Sequence, residues 1–265
     1  MANHKLRSPV STWIGRFGQD CWFHPQGWLW GLGRSLLAVP QTVLRQTGPR
    51  IRGLGTHLTR GVRAPRRTRM WWLRLACKFA DLFCLGEILN ALGMFVKHNT
   101  RPLSFMETVE ARRIFGDSLD YKRVRLDEWS LIAHIANWVY QRRTGKRSGH
   151  MAVTIFNTIH CSRRISASAG NNDMAWLIHE LTHAAQYQHI GSQFLFEALL
   201  AQRREGYDYG GAEALAARDF PQFNREQQGD IVMDYYNILL GRKETPGPQR
   251  QSYERVIGQL RAGKI

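Results

Sequence analysis

The sequence predicts a mostly helical α+β fold, in which a small core packs a strand or short sheet on a central helix. Three observations predict it. Apolar residues recur at helical spacing through most segments beyond residue 101. A run rich in β-branched side chains, AVTIFNTIHC (152–161), precedes the central helix. Cap and stop residues delimit the helices, notably Ser104, Gly116, Gly191 and Asn224.

Charge divides the 265-residue chain, which is long enough for one sizeable core and an appendage. Residues 1–69 hold 12 Lys and Arg against a single acid, Asp20, so +11 of the formal +16 lies there. This Arg-, Gly-, Pro- and Trp-rich segment is expected to be a basic extension, disordered or interfacial. Its guanidinium and indole groups suit a membrane surface or nucleic acid as partner. A start of translation at Met70 is an alternative that would leave the extension unmade. No uninterrupted apolar stretch follows the basic start, so no secretory signal is expected.

Residues 70–100 form an apolar segment interrupted by Arg74, Lys78, Asp81, Glu87 and Asn90. Charges at bilayer depth are costly, so a buried or interfacial amphipathic helix over 71–96 is expected, not a span. On one such helix Cys77 and Cys84 would stand about 10 Å apart, too far for a bridge. The four cysteines form no CxxC pair, which argues against a disulfide framework or a thiolate zinc site.

The domain expected to carry the function spans 101–245. After the break HNTRPLS, Ser104 and Glu107 form a capping box for a helix to Phe115, closed by Gly116. YKRVRL (121–126) reads as a short strand. Leu131, Ile135, Trp138 and Val139 give helical spacing between Glu128 and Arg143, and the basic loop RRTGKRSGH leads to the strand at 152–161. Asn172 or Asp173 caps the central helix, expected from Met174 to His189 with Gly191 as its stop. Ser192 caps a second helix, SQFLFEALLAQRRE, and GYDYGG is a turn. Asn224 and Gln227 open a third helix that runs to Gly241. Residues 246–265 are expected to be a tail, one short helix or frayed.

The central helix carries HELTH. His179 and His183 lie about 40° apart around a helix and one turn along it, so both imidazoles can reach one ion. Glu180 beside them can take a proton from a metal-activated water, the arrangement needed for metal-assisted hydrolysis. The flanks WLI and AAQY are apolar, a setting in which two histidines and a glutamate are costly without partners.

The third ligand is less direct. His189 would complete HExxHxxGxxH, but Gln186 stands at the glycine position, and on a continuing helix His189 points about 120° away. Glu197 interrupts the apolar run FLFEALL and would lie at a similar distance from the Gly191 turn as His183; pairing with an arginine is its alternative role. Glu226 shares a helix face with Asp230, which could orient a ligating histidine, although that face also fits a solvated one. Glu213 is a further candidate without special support.

FGDSLDYKRVRL, the strand before WLIHELTHAAQYQ, FLFEALLAQ, GYDYGG and NREQQGDIVMDYY stand in the same order as in bacterial HExxH metallopeptidase-like proteins, which this chain resembles over residues 101–241. Some of those proteins are encoded near Rhs or VgrG elements of type VI secretion systems, and they are similar in plan to eCIS-core metallopeptidase-like domains. The likeness to glutamate-zincins, whose third ligand opens an ExxA[DE]-like helix, implies Glu226 as ligand and Asp230 as its partner in the site. Gly229 departs from that pattern, standing where alanine is usual.

The resemblance implies a zinc-dependent metallopeptidase with His179, His183 and Glu226 on Zn2+, Glu197 in reserve, and Glu180 as general base. Tyr207 or Tyr209 is the candidate donor to the developing oxyanion. The expected partners are a peptide or protein substrate and a secretion-system component. The expected location is the bacterial cytoplasm or a membrane surface, with delivery by a non-Sec system. The competing readings are a non-catalytic zinc-stabilised cargo or adaptor module, and a membrane- or nucleic-acid-binding protein acting through residues 1–69.

Overall fold

The computed structural model describes residues 46–59, 69–96, 100–146, 149, 151–204 and 206–265, with single helical positions at 33, 36, 37 and 40. Most of the basic extension therefore lies outside the described residues. Within it, residues 46–59 form a helix, α1.

The apolar segment forms two helices instead of one, α2 (Arg69–Leu82) and α3 (Leu85–Val96). The break falls at Cys84, whose φ of 54° lies in the left-handed region and whose N–H bonds back to the Asp81 carbonyl. Arg50 of α1 donates to that same carbonyl and, at 2.9 Å, to the buried carboxylate of Glu87.

A four-stranded sheet of order β1-β2-β4-β3 supports the rest. Strand β1 (Thr100–Pro102) lies in the stretch expected to be a break, antiparallel to β2 (Arg125–Asp127), and β2 runs parallel to β4 (Thr158–Cys161). The expected strand at 152–161 is a hairpin: β3 (Ala152–Ile155) turns back on β4 through Phe156 and Asn157. Phe156 takes φ 55°, and the asparagine beside it is the turn-forming residue within the run. YKRVRL is divided between a 3-10 turn at Tyr121–Arg123 and β2.

The helices follow their signals closely. Helix α4 (Phe105–Phe115) has the Ser104/Glu107 capping box and ends at Gly116; α5 spans Leu131–Thr144. The central helix α6 (Asn172–Ile190) is capped by Asn171, one residue before the expected cap, and stops at Gly191. Then come α7 (Gln193–Arg204), α8 (Gly211–Ala217) and α9 (Arg225–Leu239), the last with the Asn224/Gln227 capping box. The expected tail contains a fifteen-residue helix, α10 (Gly247–Arg261), which buries Tyr253, Val256, Ile257 and Leu260 against α4, α8 and α9.

Helix α6 is the axis of the core. Leu177, Ile178, Leu181, Ala184 and Ala185 are fully buried between α9, α7 and the β3–β4 hairpin. Burying a Leu or Ile side chain stabilises a fold by about 1.5–3 kcal/mol, which is what holds the polar residues of this helix in place. The outcome is a mostly helical α+β architecture with a small mixed sheet packed on its helices.

Candidate metal centre

The centre is assembled where α6 meets the first turn of α9. His179 and His183 project from successive turns of α6, their ring centroids 5.0 Å apart and their planes at 78°. Glu226 is the second residue of α9, where unpaired N–H groups and the helix dipole favour a carboxylate. Its Oε2 lies 3.6 Å from Nε2 of His179 and 3.6 Å from Nε2 of His183. All three residues are buried, and their donor atoms fall within 4.8 Å of one another.

Each donor is held from behind. The Nδ1 of His179 is 2.9 Å from Asp230 Oδ1, and the Nδ1 of His183 is 2.9 Å from Gln186 Oε1. Gln186 turns that oxygen towards the ring because its amide nitrogen donates to the Arg225 carbonyl and to Gln228 Oε1, each at 2.9 Å. A proton on Nδ1 of either ring satisfies these acceptors and leaves Nε2 as a lone-pair donor. Gln202 of α7 donates to Glu226 Oε1 at 2.9 Å, so the carboxylate presents Oε2 alone to the histidines.

Close approach of the two helices depends on Gly229, since a Cβ there would meet the His179 ring at 2.6 Å. The departure from alanine noted in the sequence thus sits at the tightest contact of the centre.

The electrostatics match a cation site. Burial alone would lower the His179 pKa, but hydrogen bonds to Asp230 and Glu226 and the charge of Glu180 outweigh it and raise the value to about 10. For His183 burial is likewise outweighed, chiefly by the charge of Glu226, and the pKa rises. Burial would raise the Glu226 pKa; the positive charge of His183 and hydrogen bonds from both rings pull it well below the carboxylate range. One anionic carboxylate thus faces two nitrogen bases, an arrangement that favours positive charge between them.

This donor set fits a divalent ion. Tetrahedral zinc with ligands at about 2.0–2.1 Å requires donor pairs roughly 3.3 Å apart, close to the 3.6 Å separations here. Two imidazoles and a carboxylate also leave a fourth position for a non-protein ligand.

Glu180 is buried but is not part of the triad. Its Oε2 accepts a 2.7 Å hydrogen bond from the hydroxyl of Thr154, on the terminal strand β3. Tyr207 is half exposed, its ring 6.2 Å from that of His179, and its hydroxyl pKa is raised by burial and then by the charge of Glu226. Tyr209 is tied elsewhere, its hydroxyl bonded to Asp234 of α9 and Tyr253 of α10.

Glu197 lies outside the cluster. It pairs with Arg74 of α2 at 2.9 Å and Arg225 of α9 at 2.7 Å, so arginines compensate this carboxylate on its apolar helix. His189 reaches the Ser118 carbonyl at 2.7 Å, beyond the end of the site, and Glu213 stands on α8. Sequence reasoning missed Thr154, Gln186 as a clamp, Gln202 and Gln228. No local signal marks Thr154, Gln202 and Gln228, because each acts across elements that only the fold brings together; Gln186 lies three residues beyond His183 on the same helix, a spacing that could have found it.

No family model matches the chain, and no solved structure matches it. Among curated proteins, an alignment of 145 positions that covers 51% of this chain is 30% identical to the type VI secretion system spike protein VgrG2b of Pseudomonas aeruginosa. The chain spans only 13% of that protein's length, so it is similar to a limited part of a type VI spike protein.

Proposed function

We propose that this chain is a zinc-dependent hydrolase of peptide bonds, with His179, His183 and Glu226 as ligands and Glu180 as general base. The observation that carries the reading is the placement of Glu180. It is buried beside the two histidines, outside the ligand set, with one oxygen fixed by Thr154. A site built only to hold metal has no use for a further acid in that position, beyond Glu226 and Asp230.

When bound, zinc supplies a Lewis acid that activates a water and polarises the scissile carbonyl. The chain's own residues do the rest. Thr154 occupies Oε2 of Glu180, which leaves Oε1 to accept the proton of the attacking water and pass it to the leaving amine. Asp230 and Gln186 hold the imidazoles in the tautomer that offers Nε2, and Gln202 restricts Glu226 to one oxygen. Tyr207 is the candidate donor to the oxyanion, from the solvent side of His179. Strand β3 ends the sheet and carries Thr154, so an extended peptide paired along it would lie beside Glu180.

The likeness to part of a spike protein supports delivery of this domain by a type VI apparatus. It equally supports a second reading, a metal-stabilised cargo or adaptor module, which the depth of the triad favours: Glu226 is 2% exposed. Glu180→Gln separates the two. The hydrolase reading expects one zinc per chain to be retained while cleavage of a denatured protein substrate falls by about 10²-fold or more. Unchanged cleavage, or none by the wild type against a broad peptide library, would leave the adaptor.

A further inference from the structure

The α2–α3 hairpin is built inside out. The side chains it turns towards the protein are polar or small: Asp81 is 5% exposed, Glu87 3%, and Cys77, Cys84 and Ala91 are buried with them. Those it turns to solvent are large and apolar, among them Trp72, Phe79, Leu85 and Leu89, with Phe83 73% exposed at the tip and Leu92 54% exposed.

Its inner contacts are correspondingly polar. Asp81 accepts from the Ser192 amide and hydroxyl, Glu87 pairs with Arg50 at 2.9 Å and Arg123 at 3.4 Å, and the Asn90 side-chain oxygen accepts from Thr158 at 2.8 Å. A helix pair on a water-facing surface ordinarily buries its apolar stripe, and an exposed one marks a surface that another phase or partner covers.

We propose that the outer face of this hairpin docks in the interface of an anionic lipid bilayer. Three features favour lipid over a protein partner. Both acids of the hairpin, Asp81 and Glu87, are buried, so the outer face carries no negative charge of its own, while Arg69 is exposed on α2 and Arg74 there is paired with Glu197. The sequence that leads directly into α2 supplies the +11 of residues 1–69, a charge suited to lipid phosphates. The helices have 14 and 12 residues, about 21 and 18 Å of rise, and no helix among the described residues is long and apolar enough to cross a membrane. They are of a length to lie in the interface, with Trp72 and Phe83 at headgroup depth. The inference stands apart from the metal centre and its chemistry.

The test is flotation of the full-length protein with vesicles of two parts phosphatidylcholine to one part phosphatidylglycerol, beside vesicles of phosphatidylcholine alone. The wild type is expected to float with the anionic vesicles and much less with the neutral ones. Phe83→Asp combined with Leu89→Asp changes two exposed side chains, so the thermal transition stays in place while partitioning falls about tenfold or more. Three results would overturn the proposal: a wild type that stays in the aqueous fraction, a double variant that floats as well as the wild type, or a wild-type dimer that the substitutions dissociate without vesicle binding. The second would assign the interaction to the basic extension alone, and the third to a second copy of the chain.

Discussion

Gly229 of α9 lies against the imidazole of His179, where a methyl group on its Cα would stand 2.6 Å from Cε1 and 2.8 Å from Nδ1. The ring cannot swing aside freely, because Asp230 holds Nδ1 at 2.9 Å. Gly229→Ala should therefore displace the ring or push α9 away from α6. Overpacking of this kind costs about 1–3 kcal/mol, and zinc affinity should fall about 10- to 100-fold. Competition against a fluorescent chelator measures it; an unchanged affinity would show that the helices adjust without loss.

The metal-free protein should carry a pH signature. The His179 pKa is raised from 6.5 to about 10, so its pairing with Asp230 and Glu226 stabilises the fold fully below about pH 6.5 and fades as pH rises towards 10. Glu226 is shifted downwards, so its contribution is present above about pH 4.5 and is lost as pH falls further. After chelation, the stability gap between wild type and Asp230→Asn should be widest near pH 6 and narrowest near pH 10 in urea unfolding. A gap that grows with pH would contradict this reading. Zinc binding at pH 8 should release protons, visible by calorimetry in buffers of different ionisation enthalpy.

Thr154→Val removes the hydroxyl on Glu180 while keeping the β-branched shape that β3 requires. A hydrogen bond to a charged group is worth about 1.5–3 kcal/mol, so kcat should drop at least about tenfold with zinc content and KM little changed. Loss of zinc from this variant would instead mean that Thr154 supports the ligand helix.

Gln186 is the hub that joins His183, the Arg225 carbonyl and Gln228. Gln186→Met keeps the volume and deletes the polar atoms. With buried donors and acceptors left unpaired, unfolding free energy in the metal-free state should fall by about 2 kcal/mol or more. Chemical denaturation checks this, and a change within error would show that water or rearranged side chains replace the amide.

Much of this architecture was legible locally. The boxes Ser104/Glu107 and Asn224/Gln227 and the stops Gly116 and Gly191 are read from a few adjacent residues, and helices form where they point. Segments whose state depends on distant partners were not legible. Residues 152–161 read as one strand because β-branched side chains stand on both sides of a two-residue turn that holds no glycine or proline, and the fifteen residues of α10 read as a tail because their apolar face has meaning only beside α4 and α9. The same division runs through the site. His179, Glu180 and His183 are read from five adjacent residues, whereas the choice between Glu226 and Glu197 depends on whether the carboxylate meets histidines or arginines. The fold puts Glu226 opposite both imidazoles and Glu197 between Arg74 and Arg225.

Asp81 reaches from α2 to the Ser192 amide and hydroxyl, at the turn directly after the histidine helix, and Gly191 leaves the space its carboxylate fills. Arg50, farther upstream, satisfies one oxygen of Glu87, whose other oxygen has no hydrogen-bond partner. A fragment starting at residue 101, where the motif-bearing stretch begins, would sever the first contact, and one starting at Met70 would sever the second. Whoever transplants this domain onto another carrier polypeptide should therefore place the joint ahead of Arg50, since the seam suggested by composition, after residue 69, would part Arg50 from the hairpin that fastens the histidine helix.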